Sequence, residues 1–186
     1  AGANKAPMVR KHGALAGLLM DASGSRELQE SALCLLASLA VDASNKLVLF
    51  HACRLGVGML LRLAGSGRGR TIKARALLVL SNLAHGVPQI QVALFQRPEF
   101  VDLLLGALSL SSSSSLDEKL NALGLLANVL EAAPNRDAAR KKDVRLFDVA
   151  LHAAENGETP EVKRRGWLSL VRLAAGPRVD VLQRLD

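Results

Sequence analysis

Tyrosine is missing from this chain, tryptophan occurs once, and aromatic side chains make up only 3% of its 186 residues. Stacking of nucleic-acid bases on rings is disfavoured from the outset, and the core must be built from other side chains. Cysteine is nearly as scarce. Cys34 and Cys53 make no disulfide framework at this length, and their apolar surroundings predict two reduced, packed thiols. No stretch reaches the roughly 18 uninterrupted apolar residues of a membrane span. The opening AGANKAPMVRKHG carries charge but no apolar signal-peptide core, so the expected location is intracellular, cytoplasmic or nuclear.

Catalytic patterns are lacking as well. His12, His51, His85 and His152 fall in different segments, and no His-Glu-x-x-His spacing or Gly-x-Ser-x-Gly turn occurs. The acids form no recognisable pair. The expectation is a protein without catalytic residues, metal or cofactor. GSGRGR at 65–70 has the glycines of a phosphate loop, but it follows a helical segment and lacks the Gly-Lys-Ser/Thr ending. It reads as a connection, and SSSSS at 111–115 as a flexible surface loop.

What the chain does have is leucine and alanine. Hydrophobic residues reach 49%, and their bias toward these two strong helix formers predicts an all-α fold. The net charge of +7 and pI near 10.0 permit an acidic peptide, a nucleic acid or an anionic surface as partner, and select none of them. The densest basic group, RDAARKKDVR at 136–145, contains three acids and reads as a solvated helix face.

The leucines and alanines are periodic on a longer scale. ALCLLASLA (32–40), ALLVLSNLA (76–84), ALGLLANVL (122–130) and GWLSLVRLA (166–174) begin on Ala32, Ala76, Ala122 and Gly166, at spacings of 44, 46 and 44. Four residues on stand Leu36, Leu80, Leu126 and Leu170, and three further on Leu39, Leu83, Val129 and Leu173. A small residue followed by two large ones in fixed register marks a repeated buried helix. Shorter apolar segments precede each copy, among them GVGMLLRLAG and VRLFDVALHAA. Before three of these lie short amphipathic stretches opened at Ser44, Pro88 and Asn135. Gly86 with Pro88 behind it stops the second long helix, and Gly176–Pro177 the fourth. Each unit is thus short helix, helix, long helix. The expected units are 8–42, 43–86, 87–133 and 134–176, with 177–186 starting a further repeat or a cap.

LSNLA at 80–84, in its Ala-x-x-x-Leu-x-x-Leu frame, resembles the third helix of an armadillo repeat, and HGALAGLLMDA and LGVGMLLRLAG resemble the family's glycine-initiated second helix. The resemblance implies a right-handed α-solenoid of about four three-helix repeats. HEAT repeats are the runner-up, but a two-helix unit leaves the short first helices unexplained. A piece of a longer protein, or a homodimer through one solenoid end, is expected on the same grounds.

In armadillo families the third helices line a concave groove, where a repeated asparagine bonds the backbone of an extended peptide. The resemblance therefore places Asn82 and its equivalents Ser38, Asn128 and Arg172 in the groove. Seven residues earlier, on the same helical face, lie Ser31, Arg75, Asn121 and Arg165. A purely structural role for Asn82 and Asn128, satisfying backbone groups near helix ends, is the competing reading. Nuclear-import receptors carry Trp four residues before the groove Asn. Here those places hold Cys34, Leu78, Gly124 and Leu168, and Trp167 is one residue off and expected in the core. Arg75, Arg165 and Arg172 suit acidic groups, so the expected partner is an extended or helical segment of another protein with acidic residues. Backbone-directed binding of nucleic acid is the alternative.

Overall fold

A computed structural model describes residues 25–52, 56–65, 69–109, 114–142 and 145–175. Among them are ten α-helices and no strand. After α1 (Arg26–Leu39) come three successive triplets: α2 (Ala43–Ala52), α3 (Gly56–Gly65) and α4 (Arg70–Ala84); α5 (Pro88–Phe95), α6 (Pro98–Leu108) and α7 (Leu116–Val129); α8 (Ala133–Lys142), α9 (Arg145–Asn156) and α10 (Pro160–Ala174).

Helix starts follow local chemistry. The hydroxyls of Ser25, Ser115 and Thr159 accept from the backbone N–H of Leu28, Glu118 and Val162 at 3.4, 3.3 and 3.3 Å. Pro88, Pro98 and Pro160 each occupy the first turn, where the missing N–H costs nothing. Two expected starts shift slightly. Ser44 lies inside α2, where the Asp42 carboxylate accepts its N–H at 3.0 Å and takes the capping role. Asn135 is the third residue of α8, and its buried side chain is used elsewhere. Gly86 follows α4 with φ of 70°, a left-handed turn that side chains disfavour. Cys53 and the Gly176–Pro177 stop lie outside the described residues.

The long helices α1, α4, α7 and α10 pack each on the next, while α3, α6 and α9 stack in a second layer. The short helices α2, α5 and α8 close the ends between them. α4 touches α1, α2, α3, α5 and α7, which is why it is apolar almost all round. The repeated frame forms the core: Ala32, Ala76 and Ala122 are buried with Leu36, Leu80, Leu126 and Leu170. Each fully buried leucine contributes on the order of 1.5–3 kcal/mol.

The fourth small residue does the same work more severely. A Cβ on Gly166 would lie 2.5 Å from the Ala154 nitrogen and 2.8 Å from the Ala153 carbonyl carbon, so α10 rides directly on the backbone of α9. With Gly166 turned to α9, the next side chain projects about 100° further round the helix. Trp167 is therefore 53% exposed rather than in the core, with Val171 one turn on at 62%. Cys34 is also exposed, on the side of α1 opposite Leu33 and Leu36, instead of packed.

Candidate functional site

The two polar rows expected from the repeat do lie on α1, α4, α7 and α10, and the structure joins them by a ladder of hydrogen bonds. In one row Asn82 Nδ2 donates to the Ala37 carbonyl at 3.0 Å and Asn128 Nδ2 to the Ser81 carbonyl at 2.9 Å. Arg172 Nη1 donates to the Ala127 carbonyl. In the other row Arg75 Nη1 reaches the Glu30 carbonyl at 2.8 Å, Asn121 Nδ2 that of Ala74 at 2.9 Å, and Arg165 Nη1 that of Leu120 at 2.6 Å. Every acceptor is the residue just before the donor's counterpart in the preceding unit.

The ladder decides what these side chains can offer. The carbonyls of Glu30, Ala74 and Leu120 lie within helices, where the side chain takes a second lone pair, whereas those of Ala37, Ser81 and Ala127 lie in last turns. Ser81 also accepts from the His85 N–H, and Ala37 and Ala127 accept no backbone N–H among the described residues. Each asparagine amide is pinned through Nδ2. Oδ1 of Asn82, Asn121 and Asn128 accepts no hydrogen bond among the described residues. These three residues and Arg75, Arg165 and Arg172 are half-buried, while Ser31 and Ser38 are exposed, the latter donating to the Cys34 carbonyl at 3.0 Å. Between the rows run Cys34, Leu78, Gly124 and Leu168, a track of small and apolar side chains.

The arginines of the two rows are not bare charges. Arg75 lies 3.6 Å from the Glu30 carboxylate, Arg165 2.6 Å from Glu161 and Arg172 2.8 Å from Glu131. Hydrogen bonds from Arg164 and then Arg165 hold the Glu161 carboxyl down at about 2. At the first turns of α4 and α7 the face opens into a cleft of about 480 Å³, lined by Arg70, Thr71, Arg75, Leu78, Ser115 and Asn121.

Sequence reasoning missed a second set of polar side chains, at the C-terminal ends of the long helices. Nδ2 of Asn45 donates to the Leu39 carbonyl at 3.1 Å, Nε2 of Gln91 to that of Ala84 at 2.9 Å, and Nδ2 of Asn135 to that of Val129 at 2.8 Å. These residues recur at spacings of 46 and 44, a signal present in the sequence but hidden by the change from Asn to Gln. Lys46 is buried and donates to the His85 carbonyl at 2.6 Å; desolvation lowers its pKa, and the charge of Glu131 partly opposes that. Glu131 ties the cluster together, accepting from Gln91 Nε2 at 2.8 Å and from the Gly86 N–H at 3.3 Å. Nor is the basic stretch at 136–145 only a solvated face. Arg136 donates to the carbonyls of Leu130 and Glu131 at 3.0 and 2.7 Å, and Arg140 to that of Leu173 at 3.1 Å.

Against solved structures, a designed armadillo repeat protein superposes with a TM-score of 0.69 at 16% identity over 86% of this chain. The chain has an armadillo-like repeat fold. Crystal structures of two engineered proteins match this armadillo-like chain with TM-scores of 0.71 and 0.70, at 22% and 20% identity over 91% and 89% of its length. The chain spans less than two thirds of all three, covering 63%, 64% and 38% of their lengths. No protein-family model and no curated protein matches the sequence. The short helices α2, α5 and α8 supply the third member of each armadillo-like unit. No helix among the described residues is long and apolar enough to cross a membrane.

Proposed function

We propose that this armadillo-like chain is a non-catalytic interaction scaffold that takes an extended or helical segment of another protein along the face of α1, α4, α7 and α10. The ladder carries this reading. It holds the amides of Asn82 and Asn128 one repeat apart, and that of Asn121 two turns from Asn128 on α7, with their oxygens unbonded among the described residues. The face thus offers fixed acceptors for a partner's backbone N–H groups. An acceptor fixed before binding loses little side-chain entropy when a partner arrives. Leu78 and Leu168 between the rows supply apolar contact.

The charge pattern supports a peptide rather than nucleic acid. The three arginines in the rows each have a carboxylate beside them, which weakens the continuous positive track that a phosphate backbone needs. An acidic segment can still exchange with those carboxylates at single positions.

Selection of a displayed random-peptide library on the purified chain tests the reading. A recovered peptide should lose binding to Leu78→Glu and Leu168→Glu, on the face, and keep it with Val41→Glu, which alters an exposed side chain between α1 and α2. Failure to recover any peptide, or equal binding by all three variants, overturns the proposal. Affinity for a DNA duplex that survives physiological salt, with no peptide recovered, would favour nucleic acid instead.

A further inference from the structure

Resting on the reading of the α1–α4–α7–α10 face as a peptide surface, we propose that the cleft at the first turns of α4 and α7 is a subsite for one carboxylate side chain of the bound segment, with Arg70 as its main ligand. The sequence-level candidates did not include Arg70. It sits at the start of α4, exposed, and makes no ion pair or hydrogen bond among the described residues. That sets it apart from Arg75, Arg165 and Arg172, each of which has a carboxylate neighbour and a backbone carbonyl to hold.

The rest of the wall suits an oxyanion. Arg75 is fixed by its bond to the Glu30 carbonyl and lines the same cleft. Thr71, half-buried beside Arg70, has a hydroxyl with no partner among the described residues. Asp117 lines the cleft from α7 and Glu30 stands beyond Arg75. Asp117 therefore repels an anion from the α7 side and directs it to the α4 wall, where Arg70 and Thr71 donate. A free guanidinium can offer two parallel N–H groups, which match the two oxygens of a carboxylate. A doubly charged phosphate would meet stronger repulsion from Asp117, so a singly charged carboxylate is the better fit.

The test uses a fluorescent synthetic copy of a peptide selected on the wild-type chain. Its acidic residue is replaced by the corresponding amide, and Arg70 by Gln, singly and together, with binding read by fluorescence polarisation. Arg70→Gln should leave the circular dichroism and melting curve unchanged, since the side chain has no partner to lose among the described residues. Each single change should weaken binding by about tenfold, the usual scale for one charge-assisted bond, and the double change by no more than either alone. The subsite is refuted if the peptide still depends on Leu168, outside the cleft, while the amide change or Arg70→Gln leaves its affinity intact. Independent, multiplying losses refute it too, and a phosphoserine peptide binding more tightly than the glutamate one refutes the choice of carboxylate. Loss of all dependence on Leu168 would instead remove the underlying reading of the face.

Discussion

Asn82 illustrates how one side chain can serve fold and face together. Its Nδ2 stitches α4 to α1 while its Oδ1 remains for something else. Asn82→Ala and Asn128→Ala should therefore each lower stability by about 0.5–1.5 kcal/mol, the net worth of an ordinary hydrogen bond, rather than leave it untouched. Urea titrations of the single and double variants check this, and the double loss should depart from additivity because Asn128 bonds the Ser81 carbonyl, in the peptide unit next to Asn82. Glu161 gives a pH-dependent counterpart. Its carboxyl titrates at about 2 in the folded chain against an ordinary 4.5. The folded pKa is the lower one, so the ion pairs with Arg164 and Arg165 stabilise the fold above the ordinary value and are lost as pH falls toward 2. Melting temperatures of wild type and Glu161→Gln should differ most near neutrality and converge over that acid window.

Elements meet through the small residues near the middle of each long helix. Gly166→Ala pushes a methyl group into the backbone of α9 and should cost about 1–3 kcal/mol or more, although alanine is the better helix former. Gly86→Ala meets no neighbour within 4 Å yet must hold φ of 70°, so its cost of about 1–2 kcal/mol is conformational. Gly86→Asn should recover part of it. Leu80→Asp places an unpaired charge at a fully buried position between α4 and its neighbours and should cost several kcal/mol, on the order that abolishes a cooperative melt. The helices and their order were readable because spacing and small-large-large register are properties of the chain itself. The ladder was readable only as a pair of rows. Whether Asn82 points at solvent or at Ala37 depends on how far one unit is displaced from the next, which no local pattern encodes. Trp167 and Cys34 were misread for a related reason: an apolar residue type does not report which side of its helix is covered.

At the scale of the whole molecule, stability is distributed along a row of similar interfaces, each long helix leaning mainly on its two neighbours. Trp167 lies exposed on α10, so tryptophan emission should be quenched by acrylamide in the folded state nearly as well as in urea. A strongly protected signal would contradict the exposed placement on α10.

The ladder has a consequence for how such a chain can lengthen. Donors and acceptors are separated by 45 residues between α1 and α4, 47 between α4 and α7, and 45 between α7 and α10. These offsets track the repeat spacings, so the bookkeeping is closed within each period: a unit brings two side-chain donors for the helix above it and two carbonyls for the helix below. A gene duplication that copies one period in frame adds a helix whose stitches are already matched on both sides. Growth by whole units is thus chemically silent, whereas a deletion of half a unit orphans a row of donors at once.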